Sequence, residues 1–121
     1  MTVIEGPCHG GRRRRKYIEE YGIGPWKVYE FNPGNAGSLR EYGRPVKRSW
    51  RLAVAMVGEL QWELIEPLDD EGIYARFLAE IGGVVHHIAV AARHFDEMLA
   101  AEAKRGIWNR RRTRLRSLPA R

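Results

Sequence analysis

The chain has 121 residues, 44% of them hydrophobic, one cysteine and a formal net charge of +6. That length predicts one domain with enough residues for a real core. No apolar run approaches the roughly 20 residues of a membrane helix, and Cys8 alone can build neither an intramolecular disulfide nor a multi-cysteine zinc site within the chain. The opening "MTVIEGPCHGGRRRRK" carries charge without a following apolar segment, so it does not read as a secretory signal, and the expected compartment is the cytoplasm.

The charge is unevenly placed. Of 21 Lys and Arg, five fall in Arg12 to Lys16 and eight between Lys104 and Arg121. The segment from Tyr17 to Ala103 holds 8 basic and 14 acidic residues, a net charge of −6. A mildly acidic body thus carries two basic ends. Such asymmetry can mark nucleic-acid-binding tails, but no helix-turn-helix, zinc-finger or RNA-binding aromatic motif accompanies it. Salt-sensitive adhesion is expected, and no specific nucleic-acid partner.

Residues 1–12 are Gly- and Pro-rich and read as irregular. "RRRKYIEEY" (13–21) predicts a helix with a narrow face of Tyr17, Ile18 and Tyr21, stopped by Gly22. "GIGPW" is a turn, and "WKVYEF" (26–31) alternates as a strand. A loop follows at "NPGNAGS", and Arg40 to Lys47 reads as irregular around Gly43 and Pro45. "SWRLAVAMV" (49–57) and "LQWELIEPL" (60–68) predict two strands of an antiparallel hairpin across Gly58-Glu59. In the second strand Leu60, Trp62 and Leu64 share one face, and Gln61, Glu63 and Ile65 the other.

Asp69 and Asp70 precede a helix over Ile73–Ile81, with Ile73, Phe77, Leu78 and Ile81 on one face and glycines at its end. "VVHHIAVAA" reads as a strand, over Val84–Ala91. Period-2 geometry puts His87 with Val85 and Ala89, and His86 on the opposite face with Val84, Ile88 and Val90. A helix over Phe95–Arg105 follows, stopped by Gly106. Residues 107–121 read as a poorly packed basic tail. The domain is expected to span residues 13–106.

Three stretches, "KYIEEYGIGPWKVYEF", "LQWELIEPLDDEGIYARFLAEIG" and "GVVHHIAVAARHFDEMLAAEAKRG", resemble the vicinal oxygen chelate superfamily, the group of glyoxalases, bleomycin-resistance proteins and methylmalonyl-CoA epimerases. The resemblance implies an α+β fold of paired βαβββ modules that enclose a divalent metal (Zn, Co, Ni, Mn or Fe). It implies a metal-dependent lyase, isomerase or epimerase, of lactoylglutathione lyase or methylmalonyl-CoA epimerase type, acting on a small molecule through an enolate next to a carbonyl. His87 and Glu63 match two of the family's metal ligands, and His86 is expected to be structural, under a helix.

Both ends depart from the pattern. The family's first ligand is usually a histidine in the opening strand, and only His9, in a Gly/Pro loop, is available there. Its fourth is usually a Glu in the last strand, yet no acidic residue follows Gly106. The resemblance therefore implies an incomplete second module, no identifiable general base and impaired activity. The incomplete module leaves an exposed sheet edge, which favours pairing with another chain, a homodimer being one form of it, or aggregation. The alternative function is metal-free sequestering of a small molecule on the same fold, with Trp26, Tyr29, Phe31, Trp50 and Trp62 lining a cup.

Overall fold

The longest pairing in the molecule follows from the shortest connection. Strands β5 (Trp50–Val57) and β6 (Leu60–Pro67) pair antiparallel over their whole length, from Trp50 opposite Pro67 to Val57 opposite Leu60. Gly58 adopts φ 61° in the two-residue link, a left-handed conformation suited to the primed turns that match strand twist. The computed structural model describes residues 1–4, 12–91, 93–107 and 111–114, with Ile4 and residues 111–114 described by backbone alone.

Around this hairpin the other elements are β1 (Thr2–Ile4), α1 (Arg12–Tyr21), β2 (Lys27–Phe31), β3 (Ser38–Glu41), β4 (Arg44–Pro45), α2 (Ile73–Glu80), β7 (Val85–His87), α3 (Phe95–Lys104) and β8 (Arg111–Arg114). The fold is α+β. A five-stranded sheet runs in the order β2-β5-β6-β1-β7, and a three-stranded sheet in the order β4-β3-β8. In the larger sheet β1 is parallel to β6, and the other neighbours are antiparallel.

The two faces of the larger sheet carry two cores. Val28, Ala53, Leu64 and Val3 form one cross-strand row. With Trp26, Trp62 and Tyr17 of α1 they make the first cluster, in which Leu64 is 1% exposed. Tyr17 packs its ring 5.3 Å from Trp62 and 6.0 Å from Trp26. On the opposite face Phe31, Trp50 and Ile65 join Ala36 and Leu39, covered by Tyr74, Phe77 and Leu78 of α2. Phe31 and Trp50 stack at 4.9 Å between centroids. Fully burying side chains of this size stabilises by about 1.5–3 kcal/mol each. The half-exposed Arg51 adds an ion pair to buried Glu66, at 2.7 Å.

The helices agree with the sequence reading to within one residue at each end. Four segments do not. Thr2–Ile4 is a strand within the sheet, where an irregular segment was expected; backbone pairing on both edges suffices to hold so short a strand. Residues 38–45, expected to be irregular, form the β3–β4 hairpin, because Gly43 and Tyr42 take positive φ at the turn and Pro45 sits on the edge strand. The strand expected over Val84–Ala91 ends at His87. Finally, Arg111–Arg114 of the basic tail pairs with β3, setting Arg111 opposite Glu41 and Arg114 opposite Ser38. A free strand edge needs backbone donors and acceptors, not apolar side chains, so composition alone concealed this pairing. The remainder of the tail beyond Arg114 lies outside the described residues, as do Cys8 and His9.

Among the described residues no helix is long and apolar enough to cross a membrane.

Candidate functional site

Strand register brings the two sequence-predicted residues onto one level. Thr2 of β1 lies opposite Glu63 of β6 on one side and opposite His87 of β7 on the other. Residues paired across adjacent strands share a face, so Glu63, Thr2 and His87 form a row. The row continues through Val54 to Lys27. Its face is the one covered further along by α2, and it is opposite the face that carries Leu64 and Val3.

Thr2 is the floor of this row. It is 1% exposed, and its Oγ1 donates to Glu63 Oε2 at 3.2 Å. Glu63 Oε1 accepts from Gln61 Nε2 at 2.5 Å. The β6 backbone is tied to the start of the chain as well: Glu63 N donates to the Met1 carbonyl, and the Met1 amino group donates to the Gln61 carbonyl, both at 2.9 Å. Each carboxylate oxygen of Glu63 thus accepts one hydrogen bond and keeps capacity for another.

The two histidines depart from period-2 expectation. Val85 pairs with Val3 and His87 with Thr2, so His86 is an extra residue in β7. This is a β-bulge, which re-aims side chains at a strand edge. Instead of facing opposite ways, the two rings meet: His86 Nδ1 lies 2.7 Å from His87 Nδ1. Which ring donates in this contact is set by the tautomer of each imidazole. The ring of His86 also lies edge-on to Phe77 at 4.5 Å and to Tyr74 at 5.3 Å, both on α2. His86 is therefore held against a helix as expected, but on the same side as His87.

Other expectations about the site change with the structure. Val84 and Ile88 are 47% and 72% exposed and Val90 is 84% exposed, so they do not pack under a helix. The five aromatics proposed to line one cup divide between the two cores: Tyr29, Phe31 and Trp50 lie on the α2 side, Trp26 and Trp62 on the α1 side. The opening-strand position beside Glu63 and His87 belongs to Thr2. Sequence reasoning passed over it because a three-residue strand has no readable periodicity.

Among the described residues no three His, Cys, Asp or Glu side chains converge as a metal group. Glu63 and His87 fit a divalent cation in kind, as a carboxylate and an imidazole, and they supply two donors in number. A separate cavity of about 790 Å³ opens between the β3–β4 hairpin and α2, lined by Glu41, Arg44, Arg48, Asp70 and Arg76 among others. It does not include the Glu63 row. In the row itself, Glu63 and His87 bring a carboxylate and an imidazole to one face of the sheet.

No protein-family model matches the chain, and no curated protein matches its sequence. Among solved structures it is similar to the crystal structure of hypothetical protein BH1468 from Bacillus halodurans C-125, with a TM-score of 0.64 and 19% identity. The likeness covers 87% of this chain and 66% of that one, so this chain spans just under two thirds of that protein's length. At that identity the likeness speaks to the fold, in agreement with the α+β architecture.

Proposed function

We propose that this chain is a vicinal oxygen chelate domain whose Glu63–Thr2–His87 row is a weak divalent-metal site. The reaction class it would serve is that of the metal-dependent lyases, isomerases and epimerases that pass through an enolate next to a carbonyl. The supporting observation is the register: Glu63 and His87 occupy the strands on either side of β1, at one level and on one face. Along the chain β1, α1, β2 and the β5–β6 hairpin follow one another, with the β3–β4 hairpin inserted before β5, and β1 parallel to β6 is the pairing a βαβββ module calls for.

Glu63 would hold the cation through an oxygen left by its bonds to Thr2 and Gln61, and His87 through a ring nitrogen. The cation would supply Lewis-acid stabilisation of an enolate oxygen. Thr2 orients the Glu63 carboxylate and keeps water from beneath it. With two protein donors, most of the coordination sphere falls to solvent or to a chelating substrate.

The metal-free sequestering alternative loses support, because its aromatic lining is divided between two opposite faces. The deciding experiment is calorimetric titration of metal-free protein with Zn or Co, repeated on Glu63→Ala and His87→Ala. Weak saturable binding that falls in both variants is the expected result. Affinity unchanged in both would remove the row from any metal chemistry.

A further inference from the structure

The cavity between the β3–β4 hairpin and α2 takes no part in the Glu63 row, and its charges are unevenly paired. We propose that it binds a small organic phosphate, with the phosphate group held by Arg44 and Arg76 and the carbon skeleton lying against α2. The proposal is independent of any cation at Glu63 and His87.

The lining carries three carboxylates, Glu41, Asp70 and Glu71, and three guanidiniums, Arg44, Arg48 and Arg76. Their formal charges cancel, but their pairing is lopsided. Arg48 serves two of the carboxylates, with Nε 3.6 Å from Glu41 and Nη1 3.4 Å from Glu71. Glu41 is 7% exposed, and the guanidinium beside it offsets a charge that would otherwise repel an anion. Arg44 on β4 and Arg76 on α2 line the cavity from its two sides, and among the described residues neither makes a hydrogen bond or an ion pair. Asp70, which is exposed, is left without a partner in the same sense. Two unpaired cations against one unpaired anion leave one positive charge in excess.

Two further observations point the same way. Arg48 Nε is buried without a hydrogen-bond acceptor, although buried polar atoms are nearly always satisfied; the cavity wall is short of an acceptor. Gly72 and Ile73 bring the start of α2 to the lining, no side chain caps that helix and its first turn holds no acidic residue. Its first N–H groups and the positive end of its dipole are thus open to an anion.

The ligand class follows from charge and shape. A phosphate monoester brings a charge of about −1.5 to −2 and three acceptor oxygens at neutral pH, and guanidinium–phosphate pairs are frequently bidentate. Two free guanidiniums and a helix start match that better than they match a singly charged carboxylate. Ala75 and Ala79 leave room on the α2 side and, with Ile73, present apolar surface to an organic group. The volume of about 790 Å³ falls within the roughly 300–1,000 Å³ of small-molecule sites.

The test is calorimetric titration of the full chain with phenyl phosphate, inorganic phosphate and benzoate, with EDTA present so that no metal contributes. Phenyl phosphate is expected to bind saturably and more tightly than the other two. Its affinity is expected to fall by about tenfold in Arg44→Gln and in Arg76→Gln. It is expected to stay unchanged in Arg15→Gln and Arg105→Gln, which remove the same charge outside the cavity. Arg44 and Arg76 are exposed, so their replacement leaves the core intact, and circular dichroism checks this. The amide resonances of Gly72 and Ile73 are expected to shift on saturation. Equal affinity for benzoate would overturn the phosphate assignment, and equal affinity for inorganic phosphate would overturn the organic one. An equal loss in all four variants would reveal adhesion to basic surface and overturn the site, as would absence of saturable binding. None of these outcomes bears on Glu63 and His87, which the metal titration decides.

Discussion

The sheet up to β6 and the segment from β7 to α3 are built from residues of similar character and reach different ends. In the first region Val3, Ala53, Leu64, Phe31, Trp50 and Ile65 are all at most 6% exposed. In the second, Val84, Val85, Ile88, Val90, Phe95 and Met98 are all at least 47% exposed. Both regions have apolar residues at helical or strand spacing. The difference is whether another element stands opposite. The first region has α1 on one face and α2 with the β3–β4 hairpin on the other, while β7 is an edge strand of three residues. Amphipathic pattern therefore creates a surface that can be buried, and only a facing layer turns that surface into stability.

The comparison is tested most severely by Leu64→Ala. Leu64 lies in the centre of the α1-side core, and its truncation is expected to cost about 2–5 kcal/mol. Urea unfolding measures it; a loss below about 1 kcal/mol would show that this cluster is not the core it is taken to be.

Gly72→Ala comes next, at about 1–3 kcal/mol. Gly72, the residue before α2, has φ 98°, and a Cβ there would stand 2.6 Å from Arg48 Nε. Displacing that nitrogen would disturb its ion pair with the buried Glu41 carboxylate, at 3.6 Å. Thermal unfolding of the alanine variant would break this expectation if the midpoint were unchanged.

Thr2→Val preserves shape and removes the hydroxyl that donates to Glu63. The expected loss is about 0.5–1.5 kcal/mol, and the variant also tests whether β1 is a true member of the sheet. Amide exchange at Thr2 and Val3 as fast as in an unfolded peptide would show that it is not.

The smallest effects belong to the second region. Phe95→Ala and Met98→Ala are each expected to change stability by less than about 0.5 kcal/mol, as for surface positions. A cost above about 2 kcal/mol in dilute protein would mean that α3 is covered in solution, and a dependence of that cost on protein concentration would identify a second copy as the cover.

Much of this architecture is legible in the residues. Gly22 and the Gly82-Gly83 pair end helices whose apolar spacing is clear, and Gly58-Glu59 between two alternating runs announces the hairpin. Glu63 is separable from Leu64 by alternation alone. The β3–β4 hairpin was hidden because Pro45 and Gly43 read as breakers, although an edge strand and a turn accept both. Strand β8 was hidden because arginines dominate it, and a ladder formed by backbone groups leaves no mark in hydropathy.

By itself, the sequence determined the three helices, strand β2 and the β5–β6 hairpin, and the face on which each side chain of a regular strand would lie. These follow from covalent geometry, from the 3.6 and 2.0 periods and from glycine's access to positive φ. Only the tertiary structure decided which faces meet. It set Thr2 between Glu63 and His87, because register is a relation between strands distant in the chain. It also turned His86 toward His87, because a bulge forms where an extra residue must be accommodated against a partner strand, and no period within β7 encodes that partner.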